Sequence, residues 1–220
     1  MRDKVDKLQA PKPDGAHGNE LFRVRVGNDA LPVEFVFAAQ DALTLLSGWR
    51  SPKQLRDNPH VQDALEYRRL ANKRWKSYRA IGRTAVSSDE IRHAIQRDSN
   101  TEVVFVLVAR ASWHTPSPIL GFCFCRRTWC HHIVLDFAAA HPNAIGPARG
   151  KVHGVGAGML YSLVQTANNI GVTTVWGEAT KNSAKFYEKT LAVQIVADHF
   201  FIRGRTRQHC LRQFQLVAWR

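Results

Sequence analysis

The residues best suited to do chemistry lie between Lys151 and Leu160. This segment reads Lys-Val-His-Gly-Val-Gly-Ala-Gly-Met-Leu and falls between a predicted strand and a predicted helix. Glycines in such a turn let the backbone approach a ligand closely and leave amide N–H groups free. Those amides and the positive end of the helix dipole together hold an anion. The segment therefore predicts a phosphate-binding loop.

Two common phosphate-binding loops do not fit this spacing. A dinucleotide-binding Gly-x-Gly-x-x-Gly turn that starts at Gly154 needs a third glycine at position 159, which is Met159. A P-loop ends in Gly-Lys-Ser or Gly-Lys-Thr, and neither follows here. The loop must belong to another type.

The elements around the loop form a crossover unit. Residues 131–140 are an apolar strand, apolar positions recur at helical spacing up to Ile170, and residues 172–178 return as a strand. A strand, a turn, a helix and a second strand place the two strands parallel, with the helix packed on one face. Further upstream, residues 102–110 and 119–126 predict a hairpin.

Three motifs in this part of the chain resemble the GNAT superfamily of N-acetyltransferases. Residues 151–156 are similar to the family's pyrophosphate loop, Q/R-x-x-G-x-G/A, with Lys151 in place of Gln or Arg. Ala-Ala-Ala-His-Pro at 138–142 resembles the strand whose splayed backbone pairs with pantetheine. Residues 182–189 resemble the next helix, where an Asn and a Phe-Tyr pair recur. The motifs follow in the family's order over about sixty residues.

The resemblance implies an α/β fold: a central, mostly antiparallel mixed sheet with one parallel strand pair, flanked by helices. It implies direct transfer of an acetyl group from acetyl-CoA to a primary amine, without an acyl-enzyme, and with Tyr187 as the general acid. A half-buried packing role is the alternative for Tyr187. No metal is expected. The residues that the resemblance places on acetyl-CoA are Ala138, Ala139, Ala140, Lys151, Val152, His153, Gly154, Val155, Gly156, Ala157 and Asn182.

The loop departs from the family pattern at its first residue. Lys151 keeps its backbone amide but presents a point charge instead of a planar fork, and Arg149 is the predicted compensation. A general base has no distinct signature. Asp136 is the predicted base, with His131, His132 and Glu178 as alternatives near the expected strand ends; an Asp in a strand is otherwise a structural partner.

The chain divides into three predicted parts. Residues 1–20 form a disordered tail, 21–100 form the N-terminal part of the fold or an elaboration of it, and 101–220 form the acyl-CoA-binding core. In the second part, residues 60–80 predict an amphipathic helix with a basic outer face, and Ser87 to Asp89 resemble the cap of another helix. After Phe201 we expect strands in an arginine-rich tail.

The charge of the chain bears on its partners. A net charge of +13 and a pI near 10.1 favour polyanions. Two acceptors follow: an amine attached to RNA, as in aminoacyl-tRNA, or an amine on an acidic protein. A basic surface without a macromolecular partner is the plainer alternative, and a non-catalytic acyl-CoA-binding or nucleic-acid-binding module is the alternative function. A homodimer is compatible with either function.

The sequence also bears on cellular location and on metal binding. The longest apolar run, residues 103–109, has seven residues, whereas a membrane helix needs roughly twenty. Residues 1–18 also lack the apolar stretch of a secretory signal, so we expect a cytoplasmic protein without membrane contact. Cys123, Cys125 and Cys130 with the next two histidines suggest zinc, but strand alternation explains the first two cysteines without a metal.

Overall fold

The computed structural model describes residues 21–115, 117–145 and 152–218. Its strands are β1 (Leu21–Val26), β2 (Asp29–Phe37), β3 (Val103–Arg110), β4 (Ile119–Arg127), β5 (His132–Ala140), β6 (Val152–His153), β7 (Thr174–Glu178) and β8 (His199–Ile202). Its α-helices are α1 (Gln40–Ser47), α2 (Pro59–Ala80), α3 (Ser88–Arg97), α4 (Val155–Asn169), α5 (Ala184–Leu191) and α6 (Gly204–Ala218). Short 3₁₀ turns span Lys53–Leu55 and Pro142–Ala144.

These eight strands form one mixed sheet in the order β6-β1-β2-β3-β4-β5-β7-β8. Every neighbouring pair is antiparallel except β5 and β7, which are parallel and joined by the crossover through α4. The predicted fold class, a mostly antiparallel mixed sheet with one parallel pair and flanking helices, is confirmed. Strands from residues 21–37 and strands beyond residue 102 share this sheet.

The sheet is buried on both faces in its centre. Successive side chains of a strand point to opposite faces, so Phe105 and Leu107 of β3 join the core under α3, α4 and α6. Val104, Val106 and Val108 join a second core, which α1 and α2 cover. This is why residues 103–109 form a continuous apolar run rather than an alternating one.

The caps of the helices follow the local sequence. Asn58 accepts hydrogen bonds from the backbone N–H groups of His60 and Val61 at 3.0 and 3.4 Å, and Pro59 occupies the first turn, so α2 begins one residue before its predicted start. Ser87 accepts a hydrogen bond from the Glu90 N–H at 3.1 Å, which confirms the predicted cap of α3.

The prediction of strands after Phe201 is wrong beyond β8. Residues from Gly204 onward form α6, whose buried Cys210 and Phe214 pack on the core. The Phe214 ring lies 5.3 Å from the Phe22 ring, centroid to centroid. Apolar positions spaced by four residues among Arg, Gln and Leu, which are good helix formers, explain the helix.

None of the helices within the described ranges combines the length and the apolarity needed to cross a bilayer. The predicted disordered tail, residues 1–20, lies outside the described residues.

A buried histidine, His141, directly follows the last residue of β5. His141 is 2% exposed, its Nδ1 accepts a hydrogen bond from the Asn143 N–H at 3.1 Å, and its ring lies edge-on to Trp49 and His114 at 5.0 Å each. Burial, with a smaller contribution from His114, lowers the pKa of His141 to about 4. The imidazole is therefore neutral in the folded protein at physiological pH.

This histidine makes folding stability depend on pH. The unfolded chain protonates His141 near pH 6.5, so its contribution is complete above that pH and is lost as the pH falls toward 4. We expect the free energy of unfolding in urea to drop by about 1 to 2 kcal/mol from this group between pH 7.5 and 5.0. His141→Asn keeps an acceptor for the Asn143 N–H without a titrating ring, and its unfolding should lose that part of the pH dependence. An unchanged pH dependence in the variant would contradict the assignment.

Candidate active site

The parallel strands β5 and β7 separate after four paired positions. Their register runs from His132 opposite Thr174 to Leu135 opposite Gly177, and β5 then continues five residues further, to Ala140. On its other side β5 stays paired with β4 up to Ala140. The last residues of β5 therefore border a gap on the β7 side, where a ligand can meet the strand's backbone.

The start of α4 presents backbone N–H groups that have no hydrogen-bond partner among the described residues. Gly154, the N-cap, has φ of 100°, a conformation that a side chain disfavours, and it makes no side-chain cap hydrogen bond. The helical ladder begins with the Gly158 N–H, which donates to the Gly154 carbonyl at 2.8 Å. The N–H groups of Val155, Gly156 and Ala157 precede that bond and stand at the positive end of a fifteen-residue helix.

Close packing explains another glycine of the loop. A Cβ atom at Gly158 would lie 2.6 Å from the Phe35 ring, so a larger residue would force that ring or the helix to shift. The first turn of α4 is held against the sheet at this point.

A cavity of about 660 Å³ joins the gap and the helix start. This volume is within the usual range for small-molecule sites. Of the eleven residues predicted to bind the cofactor, ten line it: Ala138, Ala139, Ala140, Val152, His153, Gly154, Val155, Gly156, Ala157 and Asn182. The eleventh, Lys151, and its predicted compensation Arg149 lie outside the described residues. The structure brings the ten together, and their role in binding stays a prediction.

Tyr187 faces the same cavity from α5. Its ring stacks on Phe200, with centroids 4.0 Å apart and planes at 22°, and only 6% of the residue is exposed. Burial raises the pKa of Tyr187 well above its ordinary value, with smaller contributions from Cys123 and Tyr67. The hydroxyl therefore keeps its proton at neutral pH, and within the described part of the chain it has no hydrogen-bond partner. It is free to donate to a bound ligand.

Asp136 does not line this cavity. It is the extra residue of a β-bulge against β4 and points to the face covered by α2. Its carboxylate accepts hydrogen bonds from Arg126 Nε and Nη2 at 2.7 and 3.0 Å and lies 3.1 Å from Arg74 Nη1. The structure gives Asp136 the role of an ion-pair partner and does not support its prediction as a general base.

The alternative bases also lie away from the cavity lining. His131 and His132 are at the opposite end of β5 from Ala140, and the His131 ring bonds to Arg127. Glu178 is exposed, with its carboxylate 3.8 Å from His199 Nε2.

The structure adds residues that the sequence motifs do not identify. The first turns of α2 contribute Asn58, His60, Asp63 and Tyr67 to the lining of the cavity. Asn182 Nδ2 donates to Asp63 Oδ2 at 3.2 Å, which links α2 to the segment before α5. The helical period of α2 already puts these positions on one side, but no signal in the sequence ties that side to a loop some ninety residues later.

Arg25 on β1 also lines the cavity. β1 pairs with β6 so that Arg25 lies opposite His153, beside the glycine loop. With Lys189 it gives this region two cationic side chains, whereas Asp63 is the acid among the described lining residues. The cavity is therefore suited to an anionic ligand.

A comparison with solved structures finds acetyltransferases that are similar to this chain. The chain is similar to Tetrahymena GCN5, with 13% identity over 71% of this chain and 77% of that chain and a TM-score of 0.40. It is similar to a protein from Desulfovibrio desulfuricans assigned to the GNAT family of acetyltransferases, with 13% identity over 71% and 82% of the two chains and a TM-score of 0.41. Nourseothricin acetyltransferase matches over 40% of this chain at 18% identity and a TM-score of 0.33, and the chain spans 48% of its length.

The sequence matches no family model and no curated protein. The three TM-scores are below 0.5, so the likeness to these structures carries no conclusion about this chain's function.

The cysteines do not gather into a metal centre in the described ranges. Cys123 and Cys125 are buried on the same face of β4, as their spacing predicts, and the described residues hold no group of three or more His, Cys, Asp or Glu suited to a metal ion. Burial raises the pKa of Cys123 to about 12 and that of Cys210 to about 12, and it raises the pKa of Cys125 well above its usual value. Cys130 is exposed.

Thiol reactivity should separate Cys130 from the other three cysteines. At pH 8, a thiol with a pKa near 12 has roughly a thousandth of the thiolate of an ordinary cysteine, and burial adds to this protection. We expect iodoacetamide to alkylate Cys130 in the native protein, as located by peptide mass spectrometry, and all four cysteines in guanidinium chloride. Rapid native labelling of Cys123 would show instead that the cavity opens to solvent.

Proposed function

We propose that the protein is an N-acetyltransferase that moves an acetyl group from acetyl-CoA to a primary amine. One observation carries the proposal: a single cavity joins the end of β5, which is open on its β7 side, the N–H groups at the start of α4 and the protonated hydroxyl of Tyr187. An acyl-CoA needs each of these, namely backbone partners for its amide-containing arm, donors for its pyrophosphate and a proton donor for its thiolate.

The cavity suggests how acetyl-CoA lies in it. The pantetheine arm would pair with the backbone of Ala138 to Ala140, and the pyrophosphate would accept hydrogen bonds from the N–H groups of Val155 to Ala157. Arg25, across the loop on β1, supplies positive charge for the phosphates.

The reaction would proceed by direct attack. The neutral amine adds to the thioester carbonyl carbon, and backbone amides near Ala140 stabilise the oxyanion that forms. The intermediate then expels the CoA thiolate, which takes the Tyr187 proton, while the amine loses its extra proton to a base or to water. That proton returns to the Tyr187 oxygen through the base or water, which restores the enzyme. No acyl-enzyme forms, so detection of an acetylated catalytic intermediate would contradict this route.

The acceptor amine must lose a proton before or during attack. A lysine-type amine with a pKa near 10.4 costs about 4.6 kcal/mol to deprotonate at pH 7, whereas an α-amine with a pKa near 8 costs about 1.4 kcal/mol. His60, Asp63 and His153 line the cavity and are the candidate proton acceptors. The proposed acceptors are an amine carried by RNA, such as aminoacyl-tRNA, or an amine of an acidic protein, since the net charge is +13.

Binding of acetyl-CoA can be tested at the third residue of α4. Ala157→Glu places a carboxylate among the proposed pyrophosphate donors, at a helix position that tolerates Glu well. We expect calorimetry to show at least about tenfold weaker acetyl-CoA binding than in wild type, because like charges repel. The matched control, Ala157→Gln, has the same size without the charge and should bind more tightly than the Glu variant. Equal affinities of the two variants for acetyl-CoA would contradict the proposal that the pyrophosphate lies at this position.

The role of Tyr187 can be tested by removing its hydroxyl. Tyr187→Phe preserves the stacking on Phe200 and should lower kcat by roughly a hundredfold, with unchanged acetyl-CoA affinity by calorimetry. The measurement is CoA release with an amine panel that includes aminoacyl-tRNA and acidic peptides. A variant as active as wild type would leave Tyr187 as a packing residue. Wild-type binding without turnover on any amine would support the non-catalytic alternative, which the displacement of Asp136 from the cavity favours.

A further inference from the structure

One face of β7 and β8 carries aromatic side chains outside the core. Val175, Phe200 and Ile202 point into the core under α4 and α6, so strand alternation places Trp176 and Phe201 on the other face. Phe201 is 49% exposed there. The helix α2 covers this face of the sheet over β5. The aromatic surface thus lies beside α2, at the edge of the sheet.

The rings on this surface are arranged as a flat platform. Trp176 and Phe201 are cross-strand partners and stack with centroids 6.2 Å apart and planes at 25°. The guanidinium carbon of Arg203 lies 5.5 Å from the Phe201 ring centroid, and the His199 ring lies 6.1 Å from that of Trp176. These contacts place the aromatic rings and the guanidinium group side by side.

Positive charge is concentrated at one end of the platform. Arg203 follows β8, at the end of the sheet where β5 and β7 begin with His132 and Thr174. The helix α2, which packs on this face of the sheet over β5, carries the exposed lysines Lys73 and Lys76. The acidic neighbours, Glu178 and Asp198, lie at the other end, beside His199. A bound chain of phosphates would therefore run past Arg203 toward α2.

We propose that this platform, formed by Trp176, Phe201 and Arg203, binds single-stranded nucleic acid. Flat exposed aromatic rings stack on bases of any sequence, and flanking cations meet the phosphates, which is the usual way that proteins hold single strands. We favour nucleic acid over a protein that covers an apolar face, because the stacked arginine and the net charge of +13 contribute more binding free energy with a polyanion. The inference goes beyond acyl transfer and needs no acetyl-CoA. It also names a surface that would retain an RNA-linked acceptor.

The platform can be tested by fluorescence anisotropy with fluorescein-labelled twelve-residue oligouridylate and oligothymidylate. We expect Phe201→Ser to weaken binding about tenfold, the effect of losing one stacked base. The matched control is Trp129→Ser, which removes another exposed aromatic side chain, 69% exposed, from the turn between β4 and β5 and should bind like wild type. Tighter binding of either oligomer identifies RNA or DNA as the preferred strand.

A second variant separates charge from stacking and guards against misfolding. Arg203→Ala should reduce the slope of log affinity against log salt concentration by about 0.7, the contribution of one single-strand phosphate contact. Equal effects of Phe201→Ser and Trp129→Ser, or an unchanged salt slope in Arg203→Ala, would overturn the proposal. A third outcome would also overturn it: wild type binds neither oligonucleotide but self-associates in sedimentation, and Phe201→Ser abolishes that self-association. A second copy of the chain would then be the occupant of the platform. Acetyl-CoA calorimetry on the same variants should match wild type, so failure here is distinct from failure of the proposed enzyme.

Discussion

The separation of β5 from β7 after Leu135 and Gly177 is the constraint on which the candidate site depends. A parallel pair normally satisfies the backbone groups of both strands along its length, and here the pairing stops while β5 continues. A Cβ atom at Gly177 would lie 2.8 Å from the Phe200 ring and 2.9 Å from the Leu135 carbonyl oxygen, so the last paired position requires glycine. The gap that opens beyond it exposes the backbone of Ala138 to Ala140.

The elements around that gap are held by interactions on both faces of the sheet. On one face, the ion pairs of Asp136 with Arg126 and Arg74 tie the bulge of β5 to β4 and α2. On the other, Gly158 lets α4 pack directly on Phe35, which fixes the free amides of its first turn near the gap. Asp136 thus contributes to the site by positioning β5, and its carboxylate is already paired with the two arginines.

Two surfaces of the described chain carry cations in different chemical settings. Arg25 and Lys189 make the cavity positive near the glycine loop, where a phosphorylated co-substrate would lie. The aromatic platform on β7 and β8 has its own cation, Arg203, stacked on Phe201. A high net charge alone favours all polyanions equally, whereas the two proposed sites differ: an enclosed cavity suits a compact phosphorylated ligand, and an open aromatic surface suits an extended strand.

The sequence by itself determined the local elements and the order of the motifs. The apolar periods of residues 60–80 and 103–109, the Ser87 cap and the two strands and the helix predicted within residues 131–178 all express interactions between near neighbours, and the structure has each of them. The prediction failed for the residues from Gly204 onward, because it followed the resemblance, which implies strands, instead of the apolar spacing, which is helical.

Only the tertiary structure decided which distant residues share the cavity. Arg25 reaches the glycine loop because β1 pairs with β6, and Asp63 reaches Asn182 because α2 lies across β5. The bulge that turns Asp136 away from the cavity depends on the register between β4 and β5. Strand register and helix placement are set by packing over the whole sheet, and a single sequence carries no local signal for them.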